Sequence, residues 1–556
     1  MYEYMEDNGM KNIRLSTSGM RKAVGRFLFI CVIFGGILHI VPFLFNRSFW
    51  LDEAMLVSSV CTRSFGALFS EPLDWSQSAP AGWLFLVKLS AVIFGTSEIS
   101  LRLCSLLPSL GCIVLMYKIM RKKVSENYAL FFTALFSFLT RYIYYGIEFK
   151  SYMLDNFLGL TVLYLWQKYK DKEISLTATV GIYAVLVWFS FAATFFIAAC
   201  MAVECVTAIL HITKSEDRKA ERRDCLLTFA RCGVVFCSFL AYYLLWLSKT
   251  VDNAGGENYW DLLRFPLIPK SLSDIRLLLS MTMQFFSFCS SKFISALLCL
   301  LLVLYVFISA KRRADTSHIL IPFFVSLFFL FVASYLGFYP IQDRLVQTYL
   351  IVVMIIDAFS CDAIGQLSAA SEHDRACRFH CVRWGRAALH ALLLLSLILA
   401  GIGGCRNLMP SYVYKYGSGL PPNISYLQEH ITEDDRIYVY CHAVPTYLYE
   451  IGYTTRYEDV KTRYEDVKST PVTVGNTIYG QMLAPNKYDA PYSVAYEVSM
   501  EAVSEDASLI AQYDSVYILT SGKPGVAELV EKLGDYGTVE IVNESYASML
   551  YHFTKS

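Results

Sequence analysis

Long apolar runs dominate the first 405 residues of the chain and alternate with short charged segments. A run of about 20 apolar residues is long enough to cross a bilayer as a helix. The run 27–45 has this length, and ten further runs of the same kind follow it. They lie at about 101–120, 127–145, 151–168, 174–190, 191–211, 227–248, 292–310, 318–338, 345–362 and 386–404. The pattern therefore predicts eleven transmembrane helices.

The first apolar run follows three basic residues, Arg21, Lys22 and Arg26. A basic flank before an apolar run is also typical of a signal peptide. The run 27–45 is too long for one, and no small-residue cleavage site follows it. Because basic residues collect on the cytoplasmic side of membrane helices, we expect a cytoplasmic N-terminus.

A further apolar stretch, 79–95, is short and contains Lys88. If it does not cross, every strongly basic loop falls on the cytoplasmic side, as the positive-inside rule requires. These loops are 121–123, 168–172, 214–223, 311–313 and 375–386. If it crosses, all of them lie outside. We therefore predict an interfacial or re-entrant helix at 79–95 and an extracytoplasmic C-terminus.

The chain changes character after about residue 405, where the apolar runs shorten and charged residues return. The segments 435–441, 515–520, 538–542 and 549–553 have the pattern of strands, and 524–533 has helical spacing. Strands alternating with helices predict a small α/β domain. The predicted organisation is a cytoplasmic segment at 1–26, a transmembrane domain at 27–405 and an extracytoplasmic α/β domain at 406–556.

Two other features receive no chemical role. A seven-residue segment is repeated in tandem at 455–461 and 462–468, and two copies are too few for a solenoid. The 16 cysteines lie mostly in apolar runs and lack the spacing of a zinc site, so we expect them to pack as small apolar side chains.

Composition excludes several classes of protein. Of the 556 residues, 55% are hydrophobic and only 17% are charged, and 48 basic residues balance 48 acidic ones. This excludes a disordered chain, a coiled coil and a nucleic-acid-binding protein with a basic surface. A soluble enzyme of this size has no core that could bury so much apolar surface. We expect a polytopic α-helical protein of the plasma (inner) membrane.

Three groups of charged residues fall on the predicted outer face of this membrane protein. The first is Asp52 with Glu53, the second is Glu148 with Lys150, and the third is Arg344. Each has an ordinary interpretation, since charges at helix ends can be solvated anchors, a neutralised pair or a snorkelling arginine. A carboxylate at a membrane surface can instead be a general base, and arginine suits the binding of a phosphate. Their shared face favours a site.

Four segments carry a resemblance to a known family. The segment after the first span reads Trp50-Leu51-Asp52-Glu53-Ala54, and 76–83 and 94–103 follow it. The fourth is the turn Tyr144-Tyr145-Gly146-Ile147-Glu148-Phe149-Lys150-Ser151-Tyr152. Together they resemble the GT-C superfamily of membrane glycosyltransferases, in particular the branch of protein O-mannosyltransferases and aminoarabinose transferases.

The resemblance implies a transferase that takes a sugar from a polyprenyl-phosphate carrier on the outer face, with inversion. By that analogy Asp52 is the general base, Glu53 and Glu148 complete the catalytic carboxylates, and Lys150 and Arg344 bind the donor phosphate. Support is expected from Tyr145, Tyr152 and Arg102.

The chain departs from the family in one segment. Relatives have Lys-Pro-Pro or His-Pro-Pro where this chain has Ser78-Ala79-Pro80. A side chain that would bind phosphate or a metal is therefore missing. A divalent metal near Glu148 stays an open alternative, and no other cofactor is implied.

Two other functions stay open at this stage. One is a transporter or flippase of a lipid-linked sugar, although isolated His39 and Glu204 do not form the paired charges expected within such a membrane domain. The other is a sensory or structural protein whose outer domain binds a ligand. For the transferase, the acceptor could be a cell-wall polymer, a glycolipid or a protein.

Overall fold

The computed structural model describes residues 2–214, 218–249, 266, 268–312, 317–371, 376–453, 472–480, 500–521 and 525–556. The predicted fold class is confirmed, because a large helical domain precedes a small sheet with helices. The repeat at 455–468 lies outside the described residues, and the domain boundaries stay a prediction.

The helices of the larger part follow the apolar runs. They are α1 (Tyr2–Leu44), α2 (Leu51–Thr62), α3 (Phe65–Ser70), α4 (Ala81–Phe94), α5 (Glu98–Arg121), α6 (Glu126–Phe138), α7 (Thr140–Gly146), α8 (Tyr152–Lys170), α9 (Leu176–Leu186), α10 (Phe191–Lys214), α11 (Arg218–Tyr242), α12 (Leu272–Gln284), α13 (Lys292–Arg312), α14 (Ser317–Tyr335), α15 (Asp343–Ser371) and α16 (Ala376–Cys405).

Eight helices among the described residues are long and apolar enough to cross a membrane: α1, α5, α10, α11 and α13 to α16. The other three predicted spans differ. The run 127–145 is broken at Leu139 into α6 and α7, α9 has only 11 residues, and α8 has 19 residues but is not among the eight. The count of eleven crossings therefore stays a prediction.

Helix α4 covers the stretch 79–95. Its 14 residues measure about 21 Å at the rise of an α-helix, short of the roughly 30 Å of a hydrocarbon core. Gly95 follows its last residue and has a φ of 87°, which favours glycine. The ammonium of Lys88 donates to the carbonyl of Val60 in α2 at 2.7 Å, so a charged group within α4 is bonded to protein.

The smaller part contains α17 (Pro410–Tyr414), α18 (Leu420–His430), α19 (Val444–Glu450), α20 (Met500–Ile510) and α21 (Val526–Leu533). Its strands are β1 (Arg436–Val439), β2 (Val472–Val474), β3 (Thr477–Tyr479), β4 (Ser515–Ser521), β5 (Gly537–Glu544) and β6 (Ser548–Lys555). The sheet order is β2-β3-β1-β4-β6-β5, with β3, β1 and β4 parallel and the outer pairs antiparallel. The four predicted strands are present, whereas β2 and β3 were not predicted.

The smaller part packs against the loop between α1 and α2, against α2 and against the segment after α3. Trp75 and Met55 join the core beneath the sheet, together with residues of α18 and α19. The Ser48 hydroxyl bonds Ser418, and the backbone N–H of Gly419 donates to it. These contacts hold the segment after the first span against the smaller part.

Candidate active site

The acidic pair lies in the first turn of α2. Trp50 precedes the helix in an extended conformation, and its backbone N–H donates to Glu53 Oε2 at 3.2 Å. A carboxylate three residues into a helix caps its free N–H groups, and the positive end of the helix dipole favours both acids. Asp52 and Glu53 therefore share the N-terminus of one helix, but their side chains point in different directions.

The side chain of Glu53 is fully buried and bonded on both oxygens. It accepts from Arg47 Nη1 at 2.8 Å, from Arg102 Nε and Nη2 at 3.0 and 2.8 Å, and from the backbone N–H of Phe149 at 2.6 Å. Its pKa lies below the ordinary value, because the attraction of Arg102 and Arg47 outweighs the burial that would raise it. A catalytic role for Glu53 stays a prediction, while these contacts favour a positioning role.

We predict that Glu53→Gln destabilises the protein. Hydrogen bonds to a charged group contribute about 1.5–3 kcal/mol each, and an amide cannot accept from five surrounding N–H donors. We expect the free energy of unfolding to fall by at least about 1.5–3 kcal/mol, seen as a lower melting temperature in detergent. Glu433→Gln, which changes an exposed acid between α18 and β1, is the matched control. Equal melting temperatures for the two variants would contradict the role.

The carboxylate of Asp52 faces the other way, toward Arg344 at the start of α15. Arg344 Nη1 lies 3.0 Å from Asp52 Oδ2, and the two side chains are 24% and 26% exposed. Burial alone would raise the pKa of Asp52, but Lys150 and Arg344 lower it below the ordinary value. Asp52 is therefore ionised at neutral pH and accessible from outside the protein.

The turn 147–151 joins these residues. Ser105 of α5 donates to the carbonyl of Glu148 at 2.6 Å and contacts that of Lys150 at 3.2 Å. The Lys150 ammonium donates to Gln77 Oε1 at 2.8 Å and is buried. Burial lowers the pKa of Lys150, and the charge of Asp52 opposes this effect. The three groups singled out in the sequence thus converge on one site.

Glu148 is buried and only partly bonded. Its Oε1 accepts from Trp50 Nε1 at 3.3 Å, whereas Oε2 has no hydrogen-bond partner among the described residues. Burial and the nearby charge of Glu53 raise the pKa of Glu148 to about 8, although Arg47, Lys150 and Arg344 oppose the shift. Glu148 is therefore mostly a neutral acid at pH 7, with one buried oxygen that has no hydrogen-bond partner among the described residues.

The expected supporting residues line the same site. The Tyr152 ring lies 5.9 Å from the guanidinium carbon of Arg344, and Tyr145 packs edge-to-face on Tyr152. Arg102 supports the site indirectly, because it binds Glu53. Its guanidinium carbon also lies 4.6 Å from the centre of the Phe49 ring.

Two residues of the site were missed in the sequence. Arg47 holds Glu53, and Gln77 holds Lys150. Arg47 carries a usable signal, because an arginine directly after the first span falls on the predicted outer face, where the positive-inside rule disfavours it. Gln77 has no comparable signal, since an isolated amide in a loop is ordinary.

The site does not fit a divalent cation. Among the described residues, no three His, Cys, Asp or Glu side chains are grouped to hold a metal. Asp52 faces Arg344, Glu53 is saturated by donors, and Glu148 is held by Trp50.

Fold and site together define a multi-pass membrane protein whose carboxylates and cations meet under an α/β domain. No family model and no curated protein matches the chain. Solved structures do, among them ArnT from Cupriavidus metallidurans in the apo state, with 11% identity, a TM-score of 0.47, and coverage of 94% of this chain and 97% of that one.

The same ArnT bound to undecaprenyl phosphate matches at 12% identity with a TM-score of 0.49, covering 95% of this chain and 98% of that one. The archaeal oligosaccharyltransferase AglB from Archaeoglobus fulgidus, in complex with an inhibitory peptide and a dolichol-phosphate, matches at 12% identity with a TM-score of 0.39. This match covers 76% of this chain and 63% of that one. Both proteins are GT-C glycosyltransferases, the superfamily that the sequence motifs resemble. Likenesses this distant leave the reaction to be argued from the chain's own residues.

Proposed function

We propose that the chain transfers a sugar from a polyprenyl-phosphate carrier to an acceptor hydroxyl on the outer face of the membrane. The observation that carries this proposal is the contact between the ionised Asp52 and Arg344, with Lys150 beside them. A base and a pair of phosphate-binding cations are what such a transfer requires at one place. A lipid-linked donor also explains why the site adjoins membrane helices.

In the proposed reaction Asp52 takes the proton of the acceptor hydroxyl while that oxygen attacks the anomeric carbon. The bond between this carbon and the phosphate oxygen breaks, and its electron pair stays on the phosphate. Attack from the side opposite the phosphate inverts the configuration of the sugar. The carrier leaves as a phosphate monoester with one more negative charge, and Arg344 and Lys150 stabilise that charge.

The resting ion pair has a role in this scheme. Arg344 and Lys150 are the two cations that lower the pKa of Asp52. When the phosphate of the sugar donor binds them, they interact with the phosphate instead of with Asp52. The carboxylate is then freed from the guanidinium and becomes a stronger base. A base is most effective when its pKa approaches the working pH, so donor binding prepares Asp52 for the acceptor.

We propose that Glu148 works as a neutral acid that donates a hydrogen bond to a bound substrate. Because its pKa of about 8 is raised, it keeps its proton below pH 8 and loses it above. Once Glu148 has lost its proton, its negative charge lies beside the donor phosphate and repels it. We expect the donor KM to rise roughly tenfold between pH 7 and pH 9.

Steady-state kinetics over this pH range check the expectation. Glu148→Gln is neutral at every pH and should show no such rise. A parent enzyme whose donor KM is constant from pH 7 to pH 9 would contradict the role of Glu148.

We propose that the N-terminus is cytoplasmic and that the C-terminal domain lies outside the plasma (inner) membrane. The basic residue at Lys122 then lies inside and Tyr536 outside. We expect a membrane-impermeant maleimide to label a cysteine at position 536 but not one at 122, relative to the parent chain. Labelling at 122 from outside intact cells would refute this orientation.

A second candidate is the transport of a lipid-linked sugar, and Asp357 is the observation that favours it. This carboxylate is fully buried in α15, and neither of its oxygens has a hydrogen-bond partner among the described residues. A buried acid inside a membrane helix is often functional. It lies 13 residues beyond Arg344, about 20 Å along the helix, and is therefore separate from the site.

The two candidate functions predict different results when variants are expressed in cells that lack the chain. We expect them to lose one sugar from a surface glycan, and the parent chain to restore it. A transferase requires Asp52, so Asp52→Asn should fail to restore the sugar. Restoration by Asp52→Asn together with failure of Asp357→Asn would favour the transporter instead.

A further inference from the structure

Five tyrosines form a continuous row that leads to the site, in the order Tyr412, Tyr416, Tyr144, Tyr145 and Tyr152. The centres of successive rings are 5.1 to 5.5 Å apart, and each pair meets edge to face. Below, these five residues are called the tyrosine row.

The tyrosine row runs from the surface to the reacting groups. At the outer end Tyr412 is half-buried and its neighbour Tyr416 is 38% exposed, whereas Tyr152 at the inner end is only 9% exposed. The Tyr152 ring faces Arg344, which contacts Asp52. A molecule that lies along the row therefore meets the proposed base at its inner end.

The row is built from two distant segments that are fixed to the catalytic loop. The carbonyl of Tyr416 accepts from Arg47 Nη1 at 3.0 Å, and the same nitrogen donates to Glu53. The next residue, Gly417, lies so close to Ser48 that a Cβ would meet its hydroxyl at 2.9 Å. The outer and inner tyrosines are thus held in register with Asp52.

We propose that the tyrosine row binds the sugar rings of a carbohydrate acceptor and presents the terminal hydroxyl to Asp52. The apolar C–H faces of a sugar ring pack on aromatic faces, while its hydroxyl groups stay bonded to water and to tyrosine hydroxyls. Tyrosine provides such a rigid amphipathic surface at a low cost in entropy. The inference rests on the proposed transferase function and names the class of acceptor, which that function leaves open.

The charges along the row favour a sugar over the carrier lipid. The ammonium of Lys415 lies 4.1 Å from the ring centre of Tyr412 and 5.0 Å from that of Tyr416, and the guanidinium of Arg47 lies 5.4 Å from that of Tyr144. Arg47 is buried, but Lys415 is exposed, so a prenyl chain on these rings would remove water from the Lys415 ammonium without replacing its hydrogen bonds, which is costly. A hydroxylated sugar replaces those bonds.

The test uses the full chain in detergent-solubilised membranes from cells that lack it, with a labelled polyprenyl-phosphate sugar as donor. The variants Tyr416→Ala and Tyr144→Ala remove a ring, Tyr416→Phe keeps it, and Tyr546→Ala is the control. Tyr546 is an exposed tyrosine of the same domain that packs on Tyr414, outside the row. The label is separated into protein, glycolipid and polysaccharide fractions, and the purified acceptor is then titrated.

We expect the parent to label a saccharide, either a polysaccharide or the sugar of a glycolipid. The acceptor KM should rise roughly tenfold in each alanine variant, rise less in Tyr416→Phe, which keeps the ring but loses the hydroxyl, and stay at the parent value in Tyr546→Ala. The inference is overturned if the label enters protein, if the alanine variants match Tyr546→Ala, or if they raise the donor KM instead. If the parent transfers no sugar at all, the proposed function itself has failed.

Discussion

Replacing Asp52 with asparagine is expected to lower the rate of sugar transfer by roughly two to four orders of magnitude. The amide has nearly the same shape as the carboxylate but cannot accept the proton of the acceptor hydroxyl. Asp52 is partly exposed. Unlike Glu53, it has only one charged hydrogen-bond partner among the described residues, Arg344, which contacts one of its oxygens. The substitution should therefore remove the base while the fold stays intact.

Matched measurements separate loss of the base from loss of the protein. Asp52→Asn should reach the parent's level in the membrane and melt near the parent's temperature, and Glu433→Gln should transfer like the parent. Turnover by purified Asp52→Asn at the parent's rate would remove Asp52 from the mechanism.

Replacing Arg344 with alanine is expected to lower transfer at limiting donor by roughly two to three orders of magnitude, the usual loss when one stabilising donor is removed from a developing charge. A guanidinium in partly apolar surroundings stabilises the leaving phosphate more than water does. Its planar donors can bind two phosphate oxygens at once. Arg344→Lys should recover only part of the loss, since it keeps the charge but not this geometry.

The competing explanation is that Arg344 only anchors the start of α15 at the membrane surface, where lysine would serve nearly as well. Donor and acceptor kinetics on both variants decide between the two, with Arg276→Ala as an exposed arginine outside the site. If both Arg344 variants turn over like Arg276→Ala, the phosphate site must be built from Lys150 and other residues.

Hydropathy predicts the long helices of this chain because crossing a membrane requires a continuous apolar length. It does not reveal where such a run is broken. Leu139 has an extended conformation that separates α6 from α7, yet leucine fits equally well inside one helix. The strands β4 and β6 are apolar enough to be predicted, whereas β2 and β3, with three residues each, are too short to give a pattern.

The site shows the same division between local and long-range information. The sequence could indicate that Asp52, Glu53 and Glu148 are special, but not how their roles differ. That difference depends on partners far along the chain. Arg102 from α5 binds Glu53, while Arg344 from α15 contacts Asp52. The raised pKa of Glu148 likewise results from burial, which its neighbours in sequence do not reveal.

We propose that this chain transfers a sugar from a polyprenyl-phosphate carrier by means of Asp52. The most direct measurement is the movement of label from a panel of labelled polyprenyl-phosphate sugars into glycan. It uses detergent-solubilised membranes of cells lacking the chain, supplemented with the parent or with Asp52→Asn. Solubilised membranes have no sides, so a flippase would have no effect on this transfer. We predict transfer with the parent and almost none with Asp52→Asn, whereas equal transfer with both, or none with any donor, would contradict the account.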